Sequence, residues 1–193
     1  MTEPSISAEI RRPPWPSAGL VLLAPGGVSP GDGARLATLL GLRPLACAAD
    51  RQADPQEAMA QLAAESQGWL LPLGLDPGAE LAQPGCWSDA LGAWRQPVLL
   101  QLQAAQTESG LARAYTALLA ATGAPLVGLV QQGGPWAPER RRVDGLPWLG
   151  WLPAEMPLAG SLEEEAAQAL RLHVLARWQL SSARAAEPAH PTP

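Results

Sequence analysis

A chain of 193 residues suits one domain with a full core and is short for two. Apolar residues make up 47% of it and charged residues 16%, which excludes a wholly disordered chain. A net charge of -5, with Arg140, Arg141 and Arg142 as the one basic cluster, argues against nucleic acid or an anionic membrane as partner.

In chain order, residues 1–17 are polar, carry Pro13, Pro14 and Pro16, and read as a flexible tail. A single α/β domain is expected over 18–181, followed by a second tail over 182–193. The opening residues lack an apolar stretch of signal-peptide type, and no run reaches the ~18 apolar residues of a membrane helix, so the expected compartment is the cytoplasm. Six runs read as strands: GLVLLA (19–24), RPLACA (43–48), WLLPLG (69–74), PVLLQLQ (97–103), PLVGLVQ (125–131) and PWLGWL (147–152). They are nearly continuous in apolar residues, the pattern of strands covered on both faces. Pro72 and Pro97 are expected at strand ends or on an edge, because proline brings no N–H to a ladder.

Four amphipathic segments between and after the strands read as helices: 33–41, 54–68, 108–123 and 161–180. Asp54 and Pro55 make a start signal for the second, with Gly68 as its stop. Gly123 ends the third, and Ser161 with Glu164 has capping-box spacing at the start of the fourth. Strand and helix in alternation predict a three-layer α/β fold with a mainly parallel sheet flanked by helices.

The loop after the first strand, APGGVSPGDGARL, is where such folds cradle phosphate. Gly26, four further residues, then Gly31, Asp32 and Gly33 reproduce the frame of the G-x-x-x-x-G-K-[ST] motif, with Gly27 adding to its glycine content. The chemistry does not follow the frame. Asp32 stands where the motif has lysine, and Gly33 where it has the magnesium-ligating hydroxyl. One charge pair at ~4 Å is worth roughly 4 kcal/mol at an effective dielectric near 20, so a carboxylate there swings the nearest phosphate by several kcal/mol. No lysine exists anywhere in the chain, since all 13 basic side chains are arginine. The loop therefore reads as a vestigial phosphate loop, with Asp32 serving the start of the helix. Weak anion or nucleotide binding, or a misaligned motif, is the alternative.

The segments ESQGWLLPLG (65–74), WSDALGAWRQPVLLQLQ (87–103), LARAYTALLAATGAPLVGLVQQ (111–132) and LPWLGWLP (146–153) resemble the C-terminal half of dethiobiotin synthetase. The order of elements over roughly 19–180 is similar throughout, and related P-loop proteins such as partitioning ATPases and cobyrinate amidases fit almost as well. The resemblance implies an ATP- and magnesium-dependent ring closure and a homodimer. Matched position by position, the phosphate lysine and its threonine fall on Asp32 and Gly33. The family's substrate lysine falls on Arg43, its glutamate on Glu65, and its adenine-reading asparagine on Gln131 or Gln132. So many departures together imply a degenerate member with no catalytic residues and no cofactor.

The remaining chemistry is sparse. His173 and His190 have no metal-ligand neighbours in sequence, Cys47 reads as a small core residue, and Cys47 and Cys86 make neither a disulfide framework nor a metal-ligand spacing. Ser29 lies in the glycine loop without the G-x-S-x-G frame. Trp136, Trp148 and Trp151 fall near the arginine triplet, a composition shared by interface hot spots and by ordinary cores that lack Phe. The leading expectation is a non-catalytic protein acting through an unidentified protein partner or a homodimer. The alternative is a binder of a nucleotide or anionic metabolite, or an ATP-dependent ligase with an altered loop, using Arg43, Glu65 and Gln131.

Overall fold

The computed structural model describes residues 19–27, 29–46, 54–81, 85–155 and 159–186. Six strands form one all-parallel sheet: β1 (Gly19–Leu23), β2 (Arg43–Pro44), β3 (Trp69–Leu73), β4 (Val98–Gln103), β5 (Leu126–Gln132) and β6 (Trp148–Leu152), in the order β2-β3-β1-β4-β5-β6. Among the described residues six α-helices accompany them: α1 (Pro30–Leu40), α2 (Pro55–Ala63), α3 (Trp87–Ala93), α4 (Leu111–Thr122), α5 (Pro138–Val143) and α6 (Leu162–Ala186). The expected three-layer α/β architecture is present, and it is consistent with a P-loop-like fold.

The strand sequences explain the layering. All five residues of β1 are buried, so neither face can meet water. Alternate side chains divide between two cores. Val21, Leu23, Leu71, Leu100 and Leu102 join Met59 of α2, Leu91 of α3 and Leu119 of α4. Leu20, Leu22, Leu99 and Val130 join Leu36 of α1 and Leu170, Val174 and Trp178 of α6.

The predicted strands agree with the observed ones to within a residue or two, except that β2 holds only Arg43 and Pro44. The reason is Pro72. Leu45 N–H donates to the Leu70 carbonyl at 2.9 Å, so residue 72 would supply the next N–H on that side, and it is proline. Pro72 is thus interior to β3 in sequence, yet it faces the side where β2 has ended. Pro97 directly precedes β4, as expected.

Helix starts follow their sequence signals more closely than helix ends. Asp54 caps α2 by accepting from Glu57 N–H at 3.0 Å, and Ser161 accepts from Glu164 N–H at 3.2 Å at the start of α6. Gly123 closes α4 with a left-handed φ of 76°. Gly68 does not stop α2, which ends at Ala63, because the Gly68 carbonyl already accepts from Arg43 N–H as β3 begins. The short helices α3 and α5 were not among the predicted elements.

Tyr115, half-buried on α4, has its pKa raised above 10.0, first by burial and then by the Asp76 carboxylate, to which its hydroxyl donates. A raised folded-state value favours the neutral phenol. Its stabilising contribution is full below pH about 10 and lost as pH rises through the folded value. Tyr115 is the one tyrosine in the chain, so phenolate absorbance against pH reads it alone. The expected midpoint lies above that of free tyrosine, and Tyr115→Phe is expected to flatten the alkaline loss of stability. A midpoint at the free value would refute the assignment.

Candidate functional site

The order of strands reverses across β1, so the loop after Leu23 opens on the crevice where parallel α/β sheets bind ligands. Gly26 and Gly27 take φ values of 98° and 106°, which only glycine adopts without strain, and Gly27 N–H turns back to the Ala24 carbonyl at 3.0 Å. Ser29 then caps α1. Its hydroxyl accepts from Asp32 N–H at 3.2 Å, and its carbonyl accepts from the same N–H at 3.0 Å. Asp32 is therefore the third residue of α1, and Ser29 is its cap.

The Asp32 carboxylate folds along the helix onto Arg35, with Oδ1 to Nη2 at 2.5 Å and both side chains mostly buried. Arg35 Nη1 also donates to the Ala154 carbonyl at 2.6 Å, tying the start of α1 to the loop after β6. On the other side, Gln106 Nε2 donates to the Pro25 carbonyl at 2.6 Å. A Cβ on Gly26 would stand 2.7 Å from that same nitrogen. The glycine loop is thus clamped from both flanks by side chains, and the N–H groups of Gly27 and Asp32 are engaged within the protein.

The other proposed ligand contacts lie elsewhere. Arg43 and Glu65 pair with each other at 2.6 Å, and Arg43 is in register with Trp69 at the start of β3. Trp69 is level with Gly19, so this pair stands at the amino-terminal edge of the sheet, about 13 Å from the loop at 3.3 Å per residue. The structure does not bring Arg43 and Glu65 to Gly26–Gly33. Gln131 is buried, donates to the Gly133 and Pro135 carbonyls at 3.0 Å each, and accepts from Arg141 at 3.2 Å.

The arginine triplet lies on a helix, and its members differ sharply. Arg140 and Arg142 are exposed and pair with Glu108 and Glu139. Arg141 is 8% exposed. Its guanidinium donates to Thr107 Oγ1 at 2.6 Å and lies 4.9 Å from the ring centroid of Trp148, with Glu108 at 3.4 Å. Trp136 meets Trp148 edge-on with ring centroids 6.3 Å apart, and Trp148 Nε1 donates to Asp144 at 2.7 Å. Trp136, Arg141 and Trp148 therefore form one cluster, and Trp151 follows along β6.

Several residues here were missed by sequence reading. Gln106 and Arg35 clamp the loop. Gln101 is 1% exposed on β4, and neither amide atom finds a protein hydrogen-bond partner. Gln132 Oε1 on β5, two residues beyond Val130, the partner of Gln101, also lacks one. Their signal was a polar residue in an otherwise apolar strand. Cys86 Sγ lies 3.0 Å from Ser88 Oγ and 3.1 Å from Asp89 Oδ2, and His173 Nδ1–H donates to the Leu149 carbonyl at 2.8 Å. Cys47 and His190 lie outside the described residues. Among the described residues no three His, Cys, Asp or Glu side chains stand together as a metal-holding group, and no helix is long and apolar enough to cross a membrane.

A scan against protein-family models finds no match, and a search of curated proteins finds none either. The resemblance to dethiobiotin synthetase thus rests on the quoted segments and their order.

Proposed function

We propose that this chain is a degenerate dethiobiotin-synthetase-like protein that neither hydrolyses nor ligates with ATP and acts through protein contacts. The observation that carries this reading is the Asp32–Arg35 ion pair in the first turn of α1. A P-loop enzyme presents a free ammonium and free N–H groups to phosphate at this turn. Here the acid occupies the lysine position, its arginine partner is spent on Asp32 and Ala154, and Ser29 takes the Asp32 N–H. Against the version of the binding alternative that joins Arg43 to the loop stands their separation, Arg43 at the amino-terminal ends of the strands and the loop at the carboxyl end of β1.

Calorimetric titration of magnesium-ATP into the full chain is expected to show no binding heat at micromolar nucleotide, and phosphate release no higher than in buffer. A swing of ~4 kcal/mol against phosphate corresponds to roughly a thousandfold in affinity. Micromolar binding or steady turnover would overturn the reading and restore the enzyme alternative.

A further inference from the structure

β6 is an edge strand, with β5 on one side and no strand on the other among the described residues. Along its free side runs a trench of about 450 Å³, walled by α5 and α6. Its floor follows the chain almost continuously from Gly145 through the start of β6 to Trp151. Small side chains on α6, Ala166 and Ala169, leave the far wall low.

The lining has a definite chemistry. Trp136, Trp148 and Trp151 supply apolar surface, while Arg141, Arg142 and His173 supply cationic or donor groups. Among the described residues no carboxylate lines it, although the whole chain carries a net charge of -5. Two buried donors of the lining, Arg141 Nε and Trp151 Nε1, have no acceptor in the protein. A trench short of acceptors in an acidic protein suits an occupant that brings carboxylates and carbonyls.

We infer that the free edge of β6 docks an extended, acidic peptide segment of a partner protein, with an Asp or Glu side chain directed at the exposed Arg142. This specifies the partner for the protein-contact reading above and rests on it. Main-chain pairing is short, because the strand register shifts near Gly150 and His173 already donates to the Leu149 carbonyl. Side chains therefore carry most of the affinity, with apolar residues of the partner against the tryptophans. The carboxylates of the partner compete with Glu139, which now pairs with Arg142 at 2.8 Å.

The test is a phage-displayed library of random linear peptides panned on the full chain, with selected peptides resynthesised and measured by fluorescence anisotropy. Selected sequences are expected to alternate acidic with apolar residues and to bind more weakly as salt rises. Arg142→Glu is expected to weaken binding about tenfold, while Glu139→Gln strengthens it several-fold by freeing Arg142. Ala169→Trp, at an exposed site on α6, is expected to fill the trench and abolish binding with the melting curve unchanged. Absence of enrichment, selected sequences without acidic residues, or affinity indifferent to Ala169→Trp would overturn the inference. A concentration-dependent dimer dispersed by Ala169→Trp would also overturn it, by placing a second copy in the trench. The nucleotide titration reports on the loop and leaves β6 untouched, so the two failures are distinguishable.

Discussion

Gln101→Leu is expected to stabilise the protein by about 2–4 kcal/mol, from removing orphaned amide groups that cost roughly 1–3 kcal/mol each. Gln101 sits in the most covered part of the sheet, on β4 between β1 and β5, at 1% exposure. Its neighbours on the same face, Leu99 and Val130, belong to the core beneath α1 and α6. Leucine has a similar reach and no polar atoms, so the core receives it with little rearrangement. With a urea slope of ~1–3 kcal/mol per molar, the unfolding midpoint is expected to rise by about a molar or more. A fall in the midpoint would mean that the amide is satisfied in solution by an ordered water, and that the polar side chain is structural there.

The second large effect concerns the arginine triplet. Arg141→Ala is expected to cost about 3–4 kcal/mol, summing lost charge-assisted hydrogen bonds, a cation–π contact and a newly orphaned Gln131 oxygen. Arg140→Ala and Arg142→Ala are expected to cost less than about 1 kcal/mol each, as exposed ion pairs do. Three identical side chains in succession thus form an internal control. The guanidinium of Arg141 links the turn after β4, through Thr107, to the end of β5, through Gln131, and to β6, through Trp148. Chemical denaturation of the three variants reads the contrast directly. Equal losses at all three positions would remove the buried network as its cause.

The architecture was legible in the sequence because most of its strands are nearly continuous apolar runs, a signal that survives without tertiary information. The two short helices were not legible. α3 has seven residues and α5 six, fewer than two turns, so neither offers a helical period to count. The truncated β2 was half visible: Pro72 was marked as awkward, but only the register shows which neighbour it turns away. At the site, the glycine frame and the misplaced carboxylate were readable from spacing. The partner of that carboxylate was not predicted, although Arg35 lies only one helical turn beyond Asp32. Sequence order also could not say at which end of a strand Arg43 and Glu65 would stand. Nor could it separate Arg141 from its neighbours, because burial depends on one helix face meeting Gln131 and Trp148.

The far margin of the sheet has a consequence for assembly. There β2 offers two exposed residues, one charged and one without an N–H, and Pro72 denies the strand behind it a further donor. Among the described residues that margin is poor in donors, whereas β6 keeps a short stretch of unpaired edge. A sheet with both margins open can add neighbours head to tail without limit. Among the described residues one margin alone is available, so association through the strands is expected to stop at a pair.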